Sequence, residues 1–129
     1  MALEPGTLTF DCVDPVAVAT FWAGATGYTF DDDSDETGAY IADPSGRTQG
    51  MFFQPVPEAK TAKDRVHLDV RPTTSMAVEV ERLKGLGATE RGFIEVEGSF
   101  WMQMRDPEGN EFCVMRGPDD GWQPDQVLS

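Results

Sequence analysis

The chain has 129 residues, a length that fits one domain. Apolar residues make up 40% and charged residues 26%, enough for a packed core and against disorder throughout. Ten basic residues against 23 acidic ones leave a formal charge of -13, which repels phosphates and sets nucleic acid and anionic membranes aside as partners. The longest apolar runs, such as Met51-Phe52-Phe53, fall far short of the roughly 20 residues that span a bilayer. The N-terminal MALEPGTLTF has neither the basic nor the long apolar stretch of a signal peptide. Cys12 and Cys113 are too few for a disulfide scaffold, and two thiols without an export signal predict a cytoplasmic protein. A single histidine, His67, excludes a His-rich metal site within one chain.

Residues 7–13, TLTFDCV, alternate and predict a strand with Leu8, Phe10 and Cys12 on one face and Thr7, Thr9 and Asp11 on the other. Asp14-Pro15 is an N-cap followed by proline at the first helical position. Val18, Phe21, Trp22 and Ala25 then recur at helical spacing as a buried stripe, and Gly27 ends the helix. Tyr28 to Asp33 predicts a strand running into the acidic turn DDDSDE. That turn reads as a solvated loop, because it lacks the glycine turn and ordered oxygen spacing of a calcium loop. Strands follow at 38–42 and 50–55, separated by Asp43-Pro44-Ser45-Gly46.

The polar segment 55–64, with two prolines, is a surface connector. The same grammar then restarts. RVHLDV (65–70) alternates, with Val66, Leu68 and Val70 on one face and His67 and Asp69 on the other. Thr74 or Ser75 caps a second helix whose buried face is Met76, Val80 and Leu83 and which ends at Gly85 and Gly87. Strands are predicted at 88–96, 99–105 and 111–116, with Asp106-Pro107-Glu108-Gly109 before the last. On the seventh strand either Trp101, Gln103 and Arg105 or Phe100, Met102 and Met104 face inward, and the pattern leaves both open. Residues 118–129, rich in Gly, Pro and Asp, predict an irregular tail that Trp122 pins to the body.

Strand, helix and three strands thus occur twice, each time with a D-P-x-G turn before the last strand and a glycine ending the helix. Such a repeat predicts one domain of two similar modules, 1–56 and 65–117, each burying one sheet face on its own helix. The other faces are left to line a shared interior for a small ligand.

The segments DCVDPVAVATFWAGATGY, VHLDV, LGAT and DPEGNEFCVM resemble the vicinal oxygen chelate superfamily, which contains glyoxalase I, bleomycin-binding resistance proteins and extradiol dioxygenases. They spread over residues 7–116, and DPEGNEF is the most specific. The chain is most similar to short glyoxalase-like domains. The resemblance implies an α+β fold in which two βαβββ modules form a cup-shaped mixed sheet around a cavity.

Metal-dependent members take ligands from the first and last strand of each module. Carried over by position, these fall on Thr7, on Phe52 or Gln54, on His67 and on Cys113. Threonine is a weak ligand and phenylalanine none, and His67 with Cys113 is two donors, too few unless Glu111 joins them. The expectation is therefore no resident metal; were a divalent ion bound, its ligands would be His67, Cys113 and Glu111. A thiol beside His67 also raises the question of a cysteine nucleophile, for which no third orienting group is evident.

The expected ligand pocket is lined by Asp11, Phe52, Gln54, His67, Asp69 and Cys113, acidic groups among apolar walls. A buried ion-pair network of Asp11, Asp69 and Arg71 is the structural alternative. Two functions follow from the resemblance: a lyase- or isomerase-type enzyme acting on a small molecule, or a non-catalytic protein that sequesters a drug or metabolite, as the bleomycin-binding members do. The family's habit of pairing modules across chains predicts a homodimer.

Overall fold

The side chain of Asp14 accepts a hydrogen bond from the Ala17 N–H at 3.1 Å, and Pro15 follows in the first turn of a helix, α1 (Pro15–Thr26). In the computed structural model, which describes residues 2–125, the chain divides into two units, Met1–Thr61 and Ala62–Ser129. Each holds one helix and one four-stranded sheet. The first unit contains β1 (Leu8–Cys12), α1, β2 (Thr29–Phe30), β3 (Ala39–Ala42) and β4 (Met51–Pro55). The second contains β5 (Leu68–Val70), α2 (Met76–Leu86), β6 (Thr89–Val96), β7 (Ser99–Arg105) and β8 (Glu111–Met115). The architecture is α+β, two βαβββ modules.

Both sheets have the same topology. The first strand of each unit pairs parallel with the last, and the other neighbours are antiparallel, giving the orders β1-β4-β3-β2 and β5-β8-β7-β6. In the first unit α1 packs on β1, β3 and β4. Val18, Phe21 and Trp22 of the helix and Cys12, Ile41, Met51 and Phe53 of the strands form the buried core. Phe10 stacks on Phe53 at 4.9 Å between ring centres and meets Trp22 at 5.6 Å. In the second unit α2 packs on β6, β7 and β8, with Met76, Val80 and Leu83 facing Met104, Phe112 and Val114. Ser75, rather than Thr74, is the N-cap, accepting from the Val78 N–H. Gly27 and Gly87 end the helices at φ +81° and +118°, a left-handed conformation that glycine adopts without the Cβ clash other residues meet.

The boundaries depart from the sequence expectation at two strands. β2 has two residues rather than spanning 28–33, because the Asp31 carboxylate and carbonyl take the N–H groups of Asp33 and Ser34 and turn the chain. β5 starts at Leu68 rather than at residue 65, and Val66 is exposed. The Glu111 N–H is taken by the Asp64 carboxylate, and the Asp64 N–H returns to the Glu111 carboxylate, so the β5–β8 ladder begins opposite Phe112. Beyond β8, Pro118–Asp120 form a 3₁₀ turn where an irregular tail is expected. The Asp120 carboxylate accepts from the N–H groups of Met76 and Gly117. Trp122 lies under the Arg71 guanidinium at 4.1 Å from its ring centre. The last four positions of the expected tail, 126–129, lie outside the described residues.

Candidate functional site

The helix covers one face of each sheet, and strand pairing decides which side chains stand on the other. In the first unit Thr9 lies opposite Phe52, Asp11 opposite Gln54 and Tyr40 opposite Phe52, so these five share the face turned away from α1. The Gln54 side-chain amide donates to the Asp11 carboxylate at 2.6 Å, and both residues are exposed. Phe52 and Gln54 thus stand side by side on one face. The correspondence of Thr7 with His67 carries Thr9 onto Asp69, and pairing then carries Phe52 onto Cys113.

In the second unit Asp69 lies opposite Cys113 in the parallel β5–β8 pair, and Gln103 lies opposite Cys113 in the antiparallel β7–β8 pair. Trp101 and Arg105 stand opposite Met115 and Glu111. The seventh strand therefore turns Trp101, Gln103 and Arg105 to the face of Cys113, while Met104 is fully buried on the side of Phe112 and Val114. Gln103 also accepts a hydrogen bond from Arg91 at 3.0 Å. One phase of FWMQMR, Phe100, Met102 and Met104, is wholly apolar and the other sets Trp101 beside Gln103 and Arg105; either set suits a ligand cavity, which is why the sequence leaves the orientation open.

His67 precedes β5 by one residue and lies two positions from Asp69, on the same side. Its Nε2 stands 3.2 Å from the Asp69 carboxylate, with the two side chains 40% and 55% exposed. Asp69 also accepts a hydrogen bond from the Cys113 thiol. Cys113 itself is buried. Burial, then the charge of Asp69 and that hydrogen bond, push its thiol up to about 11, against a smaller lowering by Lys63 and Arg91. A thiol held protonated at neutral pH is not an activated nucleophile, which argues against a cysteine–histidine mechanism.

Two sequence expectations are corrected. Asp11, Asp69 and Arg71 form no shared buried ion-pair network: Asp11 bonds Gln54, Asp69 is exposed beside His67, and Arg71 donates to the Arg116 carbonyl and stacks on Trp122. Glu111 shares the face of Cys113, but its carboxylate is committed to the Asp64 N–H. The third donor beside His67 and Cys113 is Asp69 instead. Among the described residues these three are the group of metal-donor side chains that comes together, with one ligand atom of each within 4.8 Å of the others. Sequence spacing alone favours Glu111, because it shows which residues share a face and not which carboxylate is already bonded.

An imidazole, a carboxylate and a thiol make a mixed N/O/S set. Such a set fits a borderline, thiophilic ion such as zinc, and suits manganese or magnesium poorly because those prefer oxygen and imidazole ligands.

Residues 7–115 match the model of the glyoxalase-like domain, and the chain belongs to that family. The vicinal oxygen chelate fold is shared with solved structures. A glyoxalase/bleomycin resistance protein/dioxygenase family enzyme from Burkholderia phytofirmans is 15% identical, with a TM-score of 0.69 over 84% of this chain and 94% of that one. The fosfomycin resistance protein FosX from Listeria monocytogenes, a mutant complexed with Mn(II) and 1S,2S-dihydroxypropylphosphonic acid, is 15% identical, with a TM-score of 0.71 over 91% and 92%. The bleomycin-binding protein from Streptomyces verticillus, complexed with copper(II)-bleomycin, is 18% identical, with a TM-score of 0.59 over 91% and 99%. At these identities the likeness is one of fold. No curated protein matches the chain.

Proposed function

We propose that this glyoxalase-like protein binds a small molecule through the helix-free faces of its two sheets, and that it acts on that molecule as a lyase- or isomerase-type enzyme. The observation that carries the reading is the population of those faces. Asp11, Phe52 and Gln54 on one sheet, and His67, Asp69, Gln103 and Cys113 on the other, are polar or aromatic where a purely structural sheet face would be covered or uniformly solvated. His67 and Asp69 form the pair able to move a proton, an imidazole held by a carboxylate with both groups open to solvent. Cys113 contributes a neutral thiol as wall rather than as nucleophile.

A second reading, non-catalytic sequestration, is favoured by one observation. The chain carries a charge of -13, and Asp11 and Asp69 stand exposed on the faces in question, which suits a cationic drug or metabolite. A thermal-shift screen of cationic antibiotics against neutral and anionic metabolites, followed by turnover assays on every hit, separates the two. Stabilisation by a compound that is converted, with both effects lost in His67→Ala, supports the enzyme. Stabilisation by an unconverted cationic drug, lost in Asp11→Asn and Asp69→Asn, supports sequestration. Hits that keep full affinity in all these variants would contradict both.

The same proposal includes a cytoplasmic homodimer, supported by the two buried thiols and by the prevalence of two-fold pairing among soluble oligomers. No helix among the described residues is long and apolar enough to cross a membrane. Light scattering at micromolar concentration is expected to give twice the chain mass, and a single-chain mass would contradict the dimer.

A further inference from the structure

We propose that Arg91, set by a β-bulge beside Gln103 on the helix-free face of the second sheet, holds the carboxylate of the small molecule bound there, so that the ligand is a small organic acid. This rests on the reading of that face as the binding face and names its ligand class. The argument starts from strand register. The β6–β7 ladder runs Glu90 opposite Met104 and then Gly92 opposite Gln103, so Arg91 is the extra residue of a bulge. Met104 is buried on the side of α2, and Glu90 on that side meets Lys84 of the helix at 3.3 Å. Arg91 goes the other way: its Nη1 donates to the Gln103 side-chain oxygen at 3.0 Å. That bond takes the oxygen end of the amide and leaves its NH₂ as a second donor on the same face. Gly92 shares the position opposite Gln103 and adds no side chain there.

One crosswise row joins this arginine to the proton-transfer pair. Gly92 faces Gln103, Gln103 faces Cys113 and Cys113 faces Asp69, across all four strands. Strands lie about 4.8 Å apart, so Gln103 and Asp69 are separated by on the order of 10 Å, the length of a metabolite and not of a polymer. Trp101 stands two positions from Gln103 on the same face and offers an apolar wall. The charges gather there too. Eight of the chain's ten basic residues fall in the second unit. Arg105 is on this face opposite Glu111, and the charge of Lys63 reaches Cys113 as that of Arg91 does. Among the described residues no carboxylate pairs with Arg91. A guanidinium fork matches the two oxygens of a carboxylate. The overall charge of -13 weighs more heavily against a dianion, which favours a carboxylate over a phosphonate.

The test titrates the full chain, followed by NMR, with 3-phenylpropionate, its uncharged amide and 2-phenylethylphosphonate, three probes of one shape that differ in the head group. The acid is expected to bind at millimolar concentration, as suits so small a probe, and to shift the amides of Gly92, Gln103 and Cys113. It should bind at least about tenfold tighter than the amide, the scale of one charge-assisted contact. Arg91→Met should bring the acid down to the affinity of the amide and leave the amide unchanged. Arg91→Lys, which keeps the charge and loses the fork, should fall between. Arg91 is exposed, and circular dichroism establishes that each variant is folded. Acid and amide binding this face equally, an unchanged acid affinity in Arg91→Met, or a phosphonate that binds tighter than the acid would each overturn the carboxylate proposal while the binding face stands. No binding of the acid would overturn it as well. Acid and amide that both shift only residues of α1 and α2 would overturn the binding face itself and this proposal with it.

Discussion

His67 is the residue on which the functional reading turns, and its surroundings separate it from a core histidine. Its side chain is 40% exposed and its partner Asp69 55% exposed. His67→Ala therefore loses one solvent-screened pair and little packing, and thermal melts should show a destabilisation under about 1 kcal/mol. A loss on the order of 1–3 kcal/mol would mean a buried, structurally bonded imidazole instead. Cys113 gives a second prediction at this scale. Folding raises its pKa above the ordinary thiol value, so its contribution to stability is complete below about pH 9. It is lost as pH rises towards 11, where the unfolded thiol has ionised and the folded one has not. Asp69→Asn removes the charge and the hydrogen bond that add to burial, and should move the thiolate absorbance titration of Cys113 downward. An unmoved titration would contradict the contact. The sequence shows His67 and Cys113 as candidates, because the resemblance carries both by position. It does not show Asp69 as their common partner, since side-chain bonding across strands depends on register that spacing alone does not define.

At the scale of elements, the two D-P-x-G turns repeat in chemistry as well as in letters. In the first, the Asp43 carboxylate accepts from the N–H and hydroxyl of Ser45 and from the Thr48 hydroxyl. In the second, the Asp106 carboxylate accepts from the N–H groups of Glu108 and Asn110 and from the Asn110 side chain. The difference is burial. Asp43 is half-buried at most and its turn is solvated, whereas Asp106 is 3% exposed. Asp106→Ala is expected to cost about 2–4 kcal/mol in denaturant melts, because three donors lose a charged acceptor in a dry site. Asp43→Ala should cost clearly less, and a larger loss there would contradict the ranking. The hydrogen bonds from Ser45 lower the Asp43 carboxyl to about 2, so its contribution is present above the ordinary carboxyl value and disappears as pH falls through about 2. Helices were the most legible elements in the sequence: Asp14, Ser75, Gly27 and Gly87 mark their ends by chemistry that is local. Strand ends were less so. β5 is cut short by the Asp64–Glu111 exchange, a contact between residues 47 positions apart that no local pattern encodes.

For the whole molecule, the doubled order of elements was visible because each module repeats its turn, its helix end and its alternation. The structure gives both sheets the same strand order. Function is less legible at this scale, because the fold hosts binding proteins and enzymes alike and the decisive residues differ between them. The sequence favours a metal-free protein on the count of two donors; the third donor, Asp69, emerges from the pairing of β5 with β8. The measurement that tests the central claim most directly is amide chemical-shift mapping by NMR with a small molecule that stabilises the protein. Binding to the helix-free faces predicts the largest shifts at Asp11, Gln54, Asp69, Gln103 and Cys113. Shifts confined to α1 and α2, with those five amides unmoved, would contradict it.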